Sequence, residues 1–332
     1  MKKSLKTSLK IFFAVTIMLS TNTVYASETL SAEQDEYINH ILPRYLEVGN
    51  ISFNNIKISE AINLTDINAD INNEAIGTFL ITQDDALIAR LNLTYSENSF
   101  HSSFVIDNNT TITKAIQSNL PLAFSIDSGE FTAHIFENSF QPLNDSTRSM
   151  YTNLTFTSFE VPDEYIPLAM TSEYNVSLDV DPLTSPNGTE EQLCWATCIA
   201  MVSNYRTGSS YDANDIYEAL DDEYSGTPSG TNTWYERGFD YCGMSYEYDT
   251  SMNFTDLINA LADERPVIFD IYPKWYSTSG HATVLSGING SYTSAVYTFC
   301  DPTDGLVFIA DIIDDFYYDA GKVYTDWRVS RY

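Results

Sequence analysis

Cys194 and His281 are the residues through which this chain could do covalent chemistry. The cysteine stands in Gln192-Leu193-Cys194-Trp195-Ala196-Thr197-Cys198, and Gly280-His281-Ala282 follows 87 residues later. A thiol activated by a remote imidazole is the minimum apparatus for thiol-based acyl transfer. Trp195, Cys198, Ile199, Val202 and Tyr205 recur at helical spacing, and Gly208 sits where such a helix would end. The spacing therefore predicts a helix opening at Cys194. The unpaired N–H groups and partial positive charge of a helix N-terminus favour a thiolate over a thiol.

His281 is the only histidine beyond residue 134 and opens the apolar run Ala282-Thr283-Val284-Leu285. The stretch Trp275-Tyr276-Ser277-Thr278-Ser279-Gly280 before it reads as a flexible, aromatic-bearing loop of the kind that forms cleft walls. An imidazole at work needs a third group to orient it. Asp301, 20 residues on, ends a strand-like run and precedes Pro302. A hairpin return would bring that run beside the one opened by His281. Asp301-Pro302 reads equally well as an ordinary turn. Trp234, Tyr235, Trp275 and Tyr276 are either cleft-rim aromatics or packing residues. Cys198, one turn after Cys194, reads as a small buried hydrophobe, since Cys-x-x-x-Cys is not the dithiol redox spacing. Cys242 and Cys300 could form a bridge in an exported chain, but nothing demands it. The cysteines lack the paired short spacings of a zinc site, so no metal and no cofactor are expected.

The elements that must position these groups fall into two regions. Residues 28–170 hold no cysteine and open with an amphipathic helix pattern from Ala32 to Leu46. The period then switches to two. Leu87, Ala89, Leu91, Leu93 and Tyr95 alternate with Ile88, Arg90, Asn92 and Thr94 as in a half-buried strand. Phe124 and Ile126, then Asp127-Ser128-Gly129, then Phe131, Ala133 and Ile135 read as a hairpin. Val176, Leu178 and Val180 make one more strand before turn-forming residues from Asp181 to Gly188. From 190 onward helices come first, with Asp212 and Asn253 as N-caps of two further ones. Strands follow at Val267–Tyr272, His281–Gly287, Ser294–Cys300, Leu306–Ile312 and Val323–Val329. The class is α+β, with a mostly antiparallel β region before a helical lobe and then a β lobe. The expected units are 1–26, 27–172 and 173–332.

Charge and termini narrow the partners. Lys2, Lys3, Lys6 and Lys10, the apolar run Ile11–Leu19 and the small-residue stretch Val24-Tyr25-Ala26 have the form of a secretory signal. The apolar run is too short to span a bilayer. Secretion of a soluble protein is the expectation. The net charge of −30 becomes −34 once those first 26 residues, with four lysines and no acid, are removed. Such acidity argues against nucleic acid and against adsorption to anionic lipid or cell-wall polymer. It is sufficiently explained by solubility.

Four segments together carry a family likeness: LCWATCIAMVSNY around Cys194, RPVIFDI at 265–271, GHATVLSGI at 280–288 and CDP at 300–302. The region from about 176 to 332 resembles papain-like cysteine peptidases of the secreted bacterial type. The resemblance implies Cys194 as nucleophile, His281 as general base and acid, and Asp301 as its orienter, acting on a protein or peptide substrate. The family's oxyanion-hole glutamine stands several residues before the cysteine, where this chain has Gly188. Gln192, only two before, would fill that role through a reshaped loop, or else the Cys194 N–H plus another donor would. Residues 27–172 are similar in position, length and β character to the pro-regions of such peptidases. They would then act as an intramolecular cover in a zymogen, the alternative being a permanent accessory domain. The same residues would serve a papain-like amidase, a transglutaminase or a peptide-processing enzyme. A non-enzymatic extracellular binding protein is the remaining alternative.

Overall fold

The computed structural model describes residues 32–62, 65–66, 75–96, 99–120, 122–127, 130–135, 154–167, 173–186, 193–249, 252–273, 281–292, 294–311, 316–317 and 323–331. The segment 1–26, Gln192, Trp275 and Tyr276 lie outside the described residues.

Helix α1 (residues 32–48) buries Ile38, Ile41, Leu42, Tyr45 and Leu46, the i, i+3, i+4, i+7, i+8 stripe of a helix lying on a core. Strands β1 (Ile56–Ser59), β2 (Thr65–Asp66), β3 (Ala75–Gln83), β4 (Ala86–Ser96) and β5 (Ser99–Ile106) follow. Asp84 and Asp85 connect β3 to β4 with φ of 51° and 61°. A two-residue hairpin of type I′ has positive φ at both central positions, and aspartate tolerates it. Helix α2 (Thr110–Gln117) is capped by the Asn109 side chain, which accepts from Thr111 and Ile112 N–H. Strands β6 (Leu122–Asp127) and β7 (Glu130–Ile135) form the hairpin expected there, and β8 (Phe156–Ser158) pairs with β1.

The second region runs β9 (Tyr174–Ser177), α3 (Cys194–Thr207), α4 (Ala213–Glu223), α5 (Asn232–Tyr241), β10 (Glu247–Asp249), α6 (Phe254–Ala262), β11 (Val267–Pro273), β12 (His281–Gly290), β13 (Val296–Asp301), β14 (Leu306–Ala310), β15 (Phe316–Tyr317) and β16 (Val323–Arg331). Asp212 and Asn253 cap α4 and α6, each inside a reciprocal capping box. Gly208 ends α3 in the left-handed conformation, φ 67°. Helices and antiparallel strands are mixed, as the α+β reading requires. Helix α5 has no counterpart in the sequence reading. Its Trp234 and Tyr235 are buried in the helical core, so they are packing residues and not a cleft rim.

One sheet crosses the boundary between the two regions. Its strand order is β10-β16-β11-β12-β13-β14-β5-β4-β3-β1-β8. The junction is β14 against β5, antiparallel, with Val307 opposite Ile106 and Ile309 opposite Phe104. The physical reason is legible in β14 itself. Leu306-Val307-Phe308-Ile309-Ala310 is an unbroken apolar run, suited to a strand covered on both faces, and its last three residues are buried. Ile309 and Val296 share a core with Leu42, Tyr45, Leu91 and Phe104 from the first region. The two regions thus share both a sheet and a core.

Candidate active site

Helix α3 is apolar on all sides, not along one stripe: every residue from Trp195 to Ser203 is buried. A helix with no polar face belongs in the middle of a fold, and this one lies against β12 and packs on α4 and α5. Ahead of that buried stretch the first residue, Cys194, is half-exposed, so the helix presents its sulfur at its positive end. The N-cap, Leu193, makes no side-chain capping bond, and the first turn holds no acidic residue. Leu193 O instead accepts from the Thr197 N–H at 2.9 Å and from Thr197 Oγ1 at 2.9 Å, and Thr197 Oγ1 is 2.8 Å from Ser185 Oγ. The helix start is therefore tied to the chain that leads into it.

Strand β12 presents His281 at its first position. β13 returns antiparallel beside it, with Val284 opposite Cys300 and Leu285 opposite Phe299, and places Asp301 at its end. His281 Nε2 lies 2.9 Å from Asp301 Oδ1. The same carboxylate oxygen accepts from the Thr303 N–H at 2.8 Å, and Thr303 Oγ1 is 3.3 Å from Nε2. His281 also shares a hydrogen bond with Cys194. Cys194, His281 and Asp301 are thus brought together, one from the helix and two from adjacent strands.

The electrostatics favour a charged imidazole. Burial, the largest single influence, pushes the His281 pKa down. The charge and hydrogen bond of Asp301, with the hydrogen bond and charge of Cys194, outweigh it and raise the value to about 10. The other three thiols are different. All four cysteines are free, including Cys242 and Cys300, which form no bridge. Burial is the main cause raising the pKa of each of the three: Cys198 goes well above its ordinary value, Cys242 rises and Cys300 reaches about 12. They are inert packing groups beside one accessible sulfur.

Two features of the site have no place in the sequence reading. Thr303 closes an Asx turn on Asp301, and the signal was the Asp-Pro-Thr-Asp-Gly string itself. Asp270, inside the apolar string Val-Ile-Phe-Asp-Ile, is a buried carboxylate on β11 that accepts a 2.8 Å bond from the buried Tyr235 hydroxyl of α5. A lone acid in such a run is expensive to bury unless it is paired, and the pair ties the helical core to β11. Among the described residues no group of histidine, cysteine and acidic side chains is arranged to hold a metal ion.

Residues 170–308 match the family model described as papain-like cysteine protease AvrRpt2. No curated protein matches the chain. The matched segment contains Cys194, His281 and Asp301, and it ends within β14. Residues 170–308 are a papain-like cysteine peptidase segment, and the chain that carries them is a cysteine protease.

Proposed function

We propose that the protein is a secreted cysteine endopeptidase in which Cys194 is the nucleophile, His281 the base and acid, and Asp301 its orienter. The observation that carries this reading is the half-exposed sulfur at the start of a buried helix, hydrogen-bonded to an imidazole whose other side meets Asp301 at 2.9 Å. With Nε2 turned to Asp301, Nδ1 is the nitrogen available to sulfur, and the raised pKa of His281 favours an imidazolium beside Cys194.

The steps follow from that pair. The Cys194 sulfur adds to the carbonyl carbon of a peptide bond, and the oxyanion is held by N–H donors at the start of α3. His281 gives its proton to the nitrogen as the C–N bond breaks, which leaves a thioester on Cys194 and releases the amine. Neutral His281 then takes a proton from water as its oxygen attacks the thioester. The acid product leaves, and proton and thiolate return to their starting places. Gln192 is the side-chain donor proposed to join the oxyanion hole.

Export rests on the signal-like first 26 residues, and among the described residues no helix is long and apolar enough to cross a membrane. Synthesis as a zymogen rests on the likeness of residues 27–172 to a pro-region. The processing site then falls in the segment between β8 and β9, where Glu160, Asp163, Glu164 and Ile166 are exposed.

The test is mass spectrometry on the secreted protein, kept reduced and incubated with a denatured protein and, separately, with a muropeptide. Internal peptides from the protein substrate, with the enzyme itself cut between 159 and 174, are expected. Muropeptide release without protein cleavage would replace this reading with a cell-wall amidase.

A further inference from the structure

A buried arginine from the N-terminal region stands behind the turn that carries Asp301. Arg90, on β4, is 2% exposed. Its Nε donates to Asp107 Oδ2 at 2.8 Å, and its Nη2 lies 4.0 Å from Asp304 Oδ2. Arg90, Ser103 and Val105 line a narrow crevice whose other wall is Asp301, Asp304, Leu306 and Phe308. Arg90 therefore shares a crevice with Asp301, the residue paired with His281.

The turn is held from several sides. Gly305 N–H donates to Asp301 O at 3.0 Å, and Ser185 N–H donates to Pro302 O at 2.6 Å. Gly305 has φ +69°, and a Cβ there would collide with Thr184 Oγ1. The Asp304 side chain adds two more contacts: Oδ1 accepts from Leu306 N–H at 3.0 Å, and Oδ2 faces Arg90. Asp301 and Asp304 are two carboxylates three residues apart on one tight turn, and the Arg90 guanidinium faces the second of them. Packing alone would not call for an arginine, because β5 and β14 already hold the two regions together and an apolar side chain fills such a place at less cost than a buried charge.

We propose that Arg90 is a positioning residue for the Asp301–His281 pair, acting through Asp304, and that the N-terminal region is consequently a working part of the enzyme. This rests on the reading of Cys194, His281 and Asp301 as the catalytic groups. It also means that a cut between β8 and β9 leaves the N-terminal region in place, held by the β5–β14 pairing and supplying Arg90. Activation of the zymogen then comes from the cut itself and not from loss of residues 27–172.

Asp304→Asn isolates the link. The amide keeps an oxygen for Leu306 N–H, removes the charge that faces Arg90 and leaves the Arg90–Asp107 pair intact. The side chain is 36% exposed, so folding should survive. Asp85→Asn, in the exposed Lys57–Asp85 pair, makes the same charge change far from the turn and serves as control. All are made in the full chain and compared for kcat, KM, pH–rate profile and Tm on a peptide substrate. For Asp304→Asn, kcat should fall about tenfold, with KM and Tm as in wild type. The alkaline limb of the pH–rate profile should move to lower pH, because a less firmly held Asp301 supports the imidazolium less. The Asp85 variant should match wild type. A folded Asp304→Asn protein with wild-type kcat and pH profile would overturn the proposal. Cys194→Ala in the same assay separates the two levels: if it stays active, the underlying reading of the site is what fails.

Discussion

His281 Nε2 and Asp301 Oδ1 are 2.9 Å apart because β12 and β13 are adjacent antiparallel strands, one starting where the other ends. The pair is a product of strand register, so a carboxamide at 301 can still occupy the position. Asp301→Asn should keep the ring oriented while removing the charge that raises the His281 pKa. Asp301→Ala should lose both. In kcat, the alanine variant should fall by about two orders of magnitude and the asparagine variant by clearly less. The alkaline limb of the Asn variant should lie at lower pH than wild type. Steady-state rates across pH check this; equal losses in the two variants would mean that orientation contributes nothing.

The same pair makes stability depend on pH. The folded pKa of His281, about 10, lies above its ordinary 6.5. The stabilisation it gives is therefore fully present below about pH 6.5 and is lost as pH rises through about 10. Denaturant midpoints of wild type and His281→Gln, measured from pH 6 to 10.5 (about the span of the two values), should converge toward the alkaline end. Parallel curves would show that the imidazolium is not held in the folded state.

Thiol accessibility should divide the cysteines one against three. In the folded, reduced protein a brief exposure to iodoacetamide near neutral pH should label Cys194 alone. Cys198, Cys242 and Cys300 are buried and their pKa values are raised, so they should react only after denaturation. Peptide mapping gives the count directly. Prior protection by His281→Ala would tie the reactivity to the imidazole.

The shared core predicts joint unfolding. Leu42 is fully buried in α1, in the core that also holds Val296 and Ile309. Leu42→Ala should cost about 2–5 kcal/mol. All four tryptophans (195, 234, 275 and 327) lie in the second region. Their fluorescence should nonetheless report the loss, with a midpoint shift matching that seen by circular dichroism. A tryptophan transition untouched by Leu42→Ala would mean that the two regions unfold independently.

What could be read in the chain beforehand was what local pattern specifies. The stripe from Ile38 to Leu46, the capping residues Asp212 and Asn253, and Gly208 at the end of α3 depend on neighbours within a few residues, and they read clearly. The main strands of the second region were also legible, whereas the return that sets Asp301 beside His281 was one of two equal readings of Asp301-Pro302, the other being an ordinary turn. Long-range partnership was not. Nothing within β14 names β5 as its neighbour, although its unbroken apolar run signals that both faces are covered. The solvent-free surroundings of α3 hid in the same way, because small residues such as Ala196, Ala200 and Ser203 carry no periodic signal while still being buried. Helix α5 was obscured by its composition: Asn232-Thr233-Trp234-Tyr235 begins with weak helix formers, and its aromatics are placed by tertiary packing. Arg90 looked like the polar member of an alternating strand; its burial depends on Asp107 and on a turn more than two hundred residues away.

The central claim is that Cys194 carries the acyl group. Wild type and Cys194→Ala, produced alike and kept reduced, would be incubated with a denatured protein substrate and followed by intact mass and by the new N-termini formed. The account predicts internal cleavage by wild type, none by the alanine variant, and an acyl adduct on Cys194 when the wild-type reaction is stopped early with acid. Cleavage by Cys194→Ala at the wild-type rate would contradict it.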